Sequence, residues 1–157
     1  MQTHFLFPYR YKRIGAFIFL PAIILGLFTL IFNWEPDWLN GKLPGLFTSD
    51  IFSNKNTFGI VETNLLNEIL GLLTIVGGIL FGFSKEKEED EFIRQIRTES
   101  LVWAIYVNYA ILALAMLFCF NFAFLWVMIF NLFTPLLFFI IRFRWSLSKL
   151  KNQSNEE

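Results

Sequence analysis

Residues 101–141 read LVWAIYVNYAILALAMLFCFNFAFLWVMIFNLFTPLLFFII, a stretch of 41 residues without a charged side chain. One straight helix of that length would measure about 60 Å, about twice the thickness of the hydrocarbon core of a bilayer. The chain therefore has to reverse once within the stretch. Asn121 lies at the midpoint and tolerates the left-handed backbone conformation of tight helix-ending turns. We predict two membrane-spanning helices here, over about 101–120 and 122–141.

Two further apolar stretches lie nearer the N-terminus. Residues 14–32 carry no charge over 19 positions, which is too long for the apolar region of a secretory signal peptide, so we predict a retained first span. The second stretch is uncharged over 69–83 and reaches a spanning length of about 64–83 when it is extended through Glu68. The predicted fold class is all-α: a polytopic membrane protein with one membrane domain, whose four transmembrane helices form an antiparallel bundle.

The segments between the spans differ in charge, and this difference predicts the orientation. The N-terminus, the connection 84–100 and the tail 142–157 carry 3, 4 and 4 Lys and Arg residues, 11 in all, whereas the loop 33–63 carries two. The positive-inside rule places the side with more Lys and Arg in the cytoplasm. Both termini are then cytoplasmic, and the loop 33–63 lies on the outer side.

The composition excludes several classes of function. Apolar residues make up 55% of the chain and charged residues 17%, whereas soluble domains carry about 25% charged residues. The net charge is zero, which gives no overall attraction to nucleic acid. One Cys and one His are too few for a disulfide or a typical zinc site, and no catalytic motif is recognisable. We therefore predict no enzyme activity, no metal and no cofactor, with the lipid bilayer as the main partner.

Polar side chains within the last two predicted spans form one candidate site. In a hairpin that turns at Asn121, Asn108 and Asn131 lie at nearly equal depth. Pro135 has no N–H to donate to the Asn131 carbonyl, and the Asn108 carboxamide is placed to supply the missing donor. We favour a structural role in fixing the helix register, and the alternative is a substrate or ion path that also includes Tyr109 and Thr134.

Glu68 is the one carboxylate within a predicted span. At about 1.5 Å per residue, it lies about 7 Å below the outer boundary of the hydrocarbon core. We favour an interface residue that reaches water or a hydrogen-bond donor, and the alternative is a role in moving a proton or cation.

Small residues four positions apart allow helix backbones to approach each other closely in membranes. Gly78 and Gly82 have this spacing in the second span, and Ala22 and Gly26 have it in the first. We predict that these four residues pack helices together. The partner helix belongs either to the same chain or to another copy, so a homo-oligomer stays open.

The charged connection has the pattern of a helix that runs into the third span. Its acidic residues come first and its arginines follow, which suits the helix dipole. Phe92 and Ile96 lie one turn apart, with Ile93 beside them, and form an apolar stripe. The stripe either lies on the bundle or headgroups, or docks a partner together with Arg94 and Arg97.

The segment 85–94, KEKEEDEFIR, leads into the third span and resembles a feature of small four-span bacterial membrane proteins. Some of these families are encoded beside small helix-turn-helix regulators and carry an Asp-Glu-Arg motif at this point, where Phe92 replaces the Arg. The resemblance covers about residues 85–141. It implies membership of a group without an assigned function, located in the cytoplasmic membrane of a bacterium.

Three classes of function follow from these features. The leading hypothesis is an accessory, sensory or regulatory protein that docks a cytosolic or membrane partner through the helix over 85–100. The alternative is an oligomeric transporter or channel for a small solute or ion, which would use Glu68, Asn108 and Asn131. A membrane enzyme is the third class, and the chain offers no catalytic cluster for it.

Overall fold

The computed structural model describes residues 5–32, 34, 36–45 and 59–154. These residues form five α-helices, one 3-10 turn and one two-stranded sheet, so the helical class predicted from the sequence is confirmed. The strands are β1 (Asn40–Gly45) and β2 (Gly59–Asn64). The helices are α1 (Tyr9–Phe32), α2 (Leu65–Gly82), α3 (Glu91–Phe118), α4 (Phe122–Asn131) and α5 (Thr134–Ser154).

Several helices are long and apolar enough to cross a membrane. Among the described residues, α1, α2 and α3 each meet this condition by length and composition, and α4 with α5 would supply a fourth crossing as one bent pair. The helices at the two ends of the chain also extend beyond their predicted spans. α1 already begins at Tyr9, and α5 continues through the predicted tail as far as Ser154.

The fourth predicted span, 122–141, is not one straight helix. α4 ends at Asn131, α5 begins three residues later, and the two helices meet at 45°. Pro135 explains the break, because its ring lacks the N–H that would bond to the Asn131 carbonyl and crowds the same turn. Leu132 and Phe133 instead donate to carbonyls three residues earlier, at 3.2 and 3.0 Å. The last turn of α4 therefore tightens toward 3-10 geometry.

The chain reverses between α3 and α4, at the position that the sequence predicts. Asn121 has a φ of 57° and is the one non-glycine residue with a positive φ in the described part of the chain. Its carbonyl accepts a hydrogen bond of 3.1 Å from the Phe124 N–H, which closes the first turn of α4. Its ψ of −135° lies outside the left-handed helical region expected from the sequence, so only the position of the turn and the positive φ, which asparagine adopts more readily than most residues, agree with the prediction.

The predicted outer loop contains an antiparallel ladder that the sequence analysis did not predict. β1 pairs with β2 from Asn40 opposite Asn64 to Gly45 opposite Gly59, and the segment 46–58 between them lies outside the described residues. Glycine and proline make β1 a poor strand by propensity, and proline is tolerated because both strands of this sheet are edges. The Asn64 side chain joins the ladder to α2, since it accepts from the Leu66 N–H at 3.1 Å.

The opposite end of the molecule holds the segment between α2 and α3, and we call it the charged end. Here the residues before α1 pair with the residues after α2. Phe7 donates to the Phe83 carbonyl at 3.0 Å and accepts from the Lys85 N–H at 2.9 Å. This pairing fixes the start of α1 beside the end of α2.

The buried apolar core lies next to the charged end, where side chains of α1, α3 and α5 meet. Phe19, Ala104, Phe139 and Phe143 are each no more than 3% exposed, and the rings of Phe139 and Phe143 stack with centroids 5.8 Å apart. Nearer the turn at Asn121, α3 and α4 leave most of their apolar side chains exposed. The most tightly packed part of the molecule therefore lies directly against the charged end.

Candidate functional site

Five charged side chains from four segments meet at the charged end, and we call them the charge cluster. None of the five side chains is more than 27% exposed. The cluster contains three cations and two carboxylates, so its formal net charge is +1, and every ion in it has a partner of opposite sign, as buried ions require. Its members are Lys12 of α1, Glu86 and Glu89 of the segment between α2 and α3, Arg97 of α3 and Arg144 of α5.

Glu86 joins two helices that are distant in the sequence. One of its carboxylate oxygens pairs with the Lys12 ammonium, and the other accepts a 3.0 Å hydrogen bond from Arg144 Nη1. The Glu86 side chain is 8% exposed. Both oxygens are therefore occupied, and Glu86 ties α1 to α5 across the end of α2.

Glu89 and Arg97 form the second half of the charge cluster. Glu89 Oε1 lies 2.9 Å from Arg97 Nη1, and Glu89 Oε2 accepts from Arg97 Nη2 at 3.1 Å. Glu89 Oε2 also accepts from the Glu86 backbone N–H at 2.7 Å, and Arg97 Nη2 donates to the Ser84 carbonyl at 3.3 Å. These bonds hold the segment between α2 and α3 against the first turns of α3.

Both arginines of the cluster also lie over aromatic rings. The Arg97 guanidinium lies 5.0 Å from the Phe143 centroid, and the Arg144 guanidinium lies 4.1 Å from the Phe81 centroid. Burial lowers the pKa of Arg144 from its usual value, and the neighbouring Glu86 carboxylate opposes that shift. The apolar core and the charge cluster are thus joined by cation–π contacts.

The first turns of α3 present an exposed face on the side away from the charge cluster, and we call it the acidic face. Asp90 caps the helix, since its carboxylate accepts a 2.8 Å hydrogen bond from the Ile93 N–H. Phe92 is 52% exposed within this face, and no basic residue belongs to it. The acidic face consists of Glu91, Phe92, Gln95, Thr98 and Glu99, all of them exposed.

The five residues predicted for docking do not share one surface. Phe92 lies on the acidic face, whereas Ile93 and Ile96 pack against the apolar core and Arg97 belongs to the charge cluster. Arg94 is half-buried between the two sides. Most of the predicted stripe therefore packs against other parts of the same chain. The surface that stays exposed at the first turns of α3 is acidic and carries one aromatic side chain, Phe92.

The polar residues predicted within the last two spans come together at the break between α4 and α5. Asn108 is 3% exposed, and its side-chain oxygen accepts from Asn131 Nδ2 at 3.1 Å and from the Thr134 hydroxyl at 2.6 Å. In these bonds Asn108 is the acceptor, whereas the sequence analysis expected its amide to donate to the Asn131 carbonyl. The three residues join α3 to both sides of the break that Pro135 creates.

Replacing Asn108 with Leu is expected to lower the free energy of unfolding by about 2 kcal/mol. The substitution leaves two donors at the break without their acceptor, and a buried donor without a partner costs about 1–3 kcal/mol. Denaturant-induced unfolding of the purified protein measures the change. Tyr109→Phe is the matched control, because Tyr109 is the exposed neighbour and its change is expected to stay within about 0.5 kcal/mol. Equal stability of the two variants would contradict this role of Asn108.

Glu68 does not belong to this group of polar residues. It lies exposed in the first turn of α2, and one of its oxygens accepts a long hydrogen bond of 3.4 Å from the Thr63 hydroxyl of β2. A carboxylate in the first turn of a helix is favoured by the helix dipole. The structure thus provides a local partner for Glu68 beside the two-stranded sheet and does not connect it to Asn108.

The four small residues predicted to pack helices have three different environments. A Cβ atom added to Gly78 or Gly82 would lie 2.5 or 2.9 Å from side-chain atoms of α5. Ala22 is buried at 3% exposure. Gly26 differs from all three, because a Cβ atom built there meets nothing within 4 Å. A side chain at position 26 would therefore meet no other helix among the residues that the structure describes.

Two glycines that were not selected from the sequence lie directly against the backbone of another helix. A Cβ atom on Gly15 would lie 2.5 Å from the backbone nitrogen of Phe81, and one on Gly77 would lie 2.8 Å from that of Phe19. The four-residue spacing identifies Gly78 but not its neighbour Gly77. Which of the two glycines faces the α1 backbone depends on how α1 packs against α2, and the spacing does not determine that packing.

Comparison with family models, curated proteins and solved structures gave no match to this chain. Within the ranges that the structure describes, no group of three or more His, Cys, Asp and Glu residues is placed to hold a metal ion. The functional assignment therefore depends on the geometry of the charged end and of the helices.

Proposed function

We propose that the chain is a four-span protein of the bacterial cytoplasmic membrane, with both termini and the charged end in the cytoplasm. The lengths and apolar composition of the helices support insertion. The excess of Lys and Arg at the charged end supports the orientation, because such residues are retained on the cytoplasmic side. In this arrangement the two-stranded sheet lies on the outer side.

We further propose that the protein is a non-enzymatic accessory or regulatory protein that docks a cytosolic protein through the acidic face. The observation that carries this proposal is the division of the first turns of α3 into two sides. One side is fixed by Arg97 and the apolar core, whereas the other exposes Phe92 among acidic residues. A helix held in this way presents a preorganised surface, which lowers the entropic cost of binding.

The charge of this surface indicates the chemistry of the partner. Glu91 and Glu99 give the acidic face two negative charges, whereas just before the helix the exposed Glu88 and Asp90 are offset in formal charge by the exposed Lys85 and Lys87. The cytoplasmic leaflet of a bacterial membrane is also negative, so this face is not attracted to headgroups. Its complement is a basic protein surface with an apolar pocket for Phe92.

Site-specific photocrosslinking tests the docking proposal. A photoreactive amino acid at Gln95, within the acidic face, is expected to crosslink one defined cytosolic protein in cells. Phe92→Ala should reduce the crosslink about tenfold, since loss of an aromatic anchor costs more than about 1.4 kcal/mol of binding. Phe17→Ala is the control, because Phe17 is also an exposed aromatic residue, 84% exposed, but lies in the first proposed span, outside the acidic face. A crosslink that Phe92→Ala leaves unchanged at equal abundance would contradict the proposal.

An oligomeric transporter or channel is the second candidate, and the break in the fourth crossing favours it. Discontinuous helices with polar side chains near the bilayer centre form substrate and ion sites in transporters. Asn108, Asn131 and Thr134 form such a polar group at the break. Flux across liposomes that Asn108→Leu abolishes would support this candidate, whereas the docking proposal expects no flux from the protein alone.

A further inference from the structure

An apolar cavity of about 270 Å³ lies between α1, α2 and the break that separates α4 from α5. Its floor consists of Ala22, Leu70 and Thr74, all of them buried. The ring of Phe133, at the break, forms part of the opposite wall. The cavity therefore lies beside the helix break.

Gly26 keeps this cavity open. A Cβ atom added at this position meets nothing within 4 Å, although Gly26 belongs to the same helix as the tightly packed Gly15. A side chain at position 26 would therefore start in free space on the cavity wall. A larger residue there would occupy part of the cavity.

The polar groups of the cavity select an occupant with an apolar chain. The hydroxyls of Thr29 and Thr74 each donate at 2.8 Å to a carbonyl of their own helix. Asn67 is the remaining polar side chain that lines the cavity, and it is exposed in the first turn of α2. From Asn67 to Thr74 the cavity extends about 10 Å along the helix. This arrangement suits an amphiphile with its tail in the cavity and its polar end near Asn67.

The cavity opens sideways between α1 and α4. Leu27 and Leu30 of α1 flank the opening on one side, Ile129 and Leu132 lie on the other, and all four are exposed. Both helices belong to the crossings proposed above, so the opening faces hydrocarbon in a bilayer. A lipid chain reaches the cavity without passing through water, and an apolar cavity of this size takes up apolar groups more readily than water.

We propose that the cavity binds one acyl chain of a membrane phospholipid from the outer leaflet, with the headgroup level with Asn67. This proposal rests on the membrane insertion proposed above and does not depend on docking at the acidic face. It gives Gly26 a role as the residue that admits the chain.

Photolabelling with a lipid tests the proposal directly. The protein is placed in nanodiscs of phosphatidylethanolamine that contain the same lipid with a diazirine on one acyl chain, and the adducts are mapped by mass spectrometry. Phe133 is partly buried, whereas Phe17 is exposed on α1. Phe133 is nevertheless expected to be labelled at least as strongly as Phe17. Gly26→Leu should reduce the labelling of Phe133 about tenfold and leave that of Phe17 unchanged, with Gly26→Ala in between.

Ala110→Leu is the control for added bulk, because Ala110 lies on an exposed side of α3 away from the cavity. It is expected to leave the labelling at Phe133 unchanged. Labelling that follows exposure alone, or that Gly26→Leu does not reduce, would overturn the proposal. Resistance to alkaline carbonate extraction separates this outcome from failure of the proposed function. If the expected labelling fails but the chain resists carbonate extraction and keeps its Phe92-dependent crosslink, only the proposed lipid site is refuted. Release of the chain by carbonate would refute membrane insertion itself.

Discussion

Glu86→Gln is expected to lower the free energy of unfolding by about 3 kcal/mol. The substitution removes one negative charge from between Lys12 and Arg144, which lie in the charge cluster with side-chain exposures of 18% and 27%. Removing one partner of a buried ion pair costs about 3–5 kcal/mol, because it leaves a charge without compensation. The partial exposure of both cations places the expected cost at the lower end of this range. Denaturant-induced unfolding in detergent micelles measures the change.

Glu62→Gln is the matched control for this experiment. Glu62 pairs with Lys42 across the two-stranded sheet at 2.7 Å, and both side chains are at least 70% exposed. Exposed ion pairs contribute about 0–1 kcal/mol, so this variant is expected to unfold almost like the native protein. If Glu86→Gln were as stable as Glu62→Gln, the charge cluster would not hold the charged end together.

Gly15→Ala is expected to lower the free energy of unfolding by about 2 kcal/mol. The added methyl group would meet the Phe81 backbone nitrogen at 2.5 Å and the Leu80 carbonyl carbon at 2.8 Å. Backbone atoms cannot rotate away as the end of a side chain can, so α1 and α2 have to move apart. Overpacking of this kind costs about 1–3 kcal/mol. The loss is measured by the same unfolding experiment.

Gly26→Ala provides the control within the same helix. Its change in the free energy of unfolding is expected to have the opposite sign to that of Gly15→Ala. Apart from its own stretch of helix, no atom lies within 4 Å of the new methyl group, and alanine favours a helix over glycine by up to about 1 kcal/mol. The variant should therefore be as stable as the native protein or slightly more stable. Equal destabilisation by the two substitutions would show that α1 does not contact α2 as the structure describes.

The features that can be predicted from the sequence are those that depend on residues close together along the chain. The apolar stretches predict helices of spanning length, and the helical class is confirmed. Counting outward from Asn121 puts Asn108 and Asn131 at nearly equal depth, and the structure joins their side chains by a 3.1 Å hydrogen bond. Pro135 predicts an unpaired carbonyl, but its effect on the helix axis, a bend of 45°, depends on how α5 packs.

The charge cluster could not be predicted, because its partners are far apart in the sequence. Lys12 and Arg144 lie 74 and 58 positions from Glu86. Within the connection, Glu86 turns inward and Glu88 outward, and nothing in their local sequence distinguishes the two. The sequence analysis also assigned Arg97 to a docking surface, because the pattern of the helix does not show which side α5 covers.

Cysteine labelling in intact bacteria tests the central claim most directly. Cys119 is the only cysteine of the chain, so Cys119→Ala provides a background for single cysteines at exposed positions on the two sides. We expect a membrane-impermeant maleimide to label Lys42→Cys, in β1, in intact cells. It should label Glu88→Cys, at the charged end, only after the cells are broken. If both positions were labelled in intact cells, or neither before lysis, the two positions would lie on the same side of the membrane. That result would contradict the claim that the chain crosses the membrane between them.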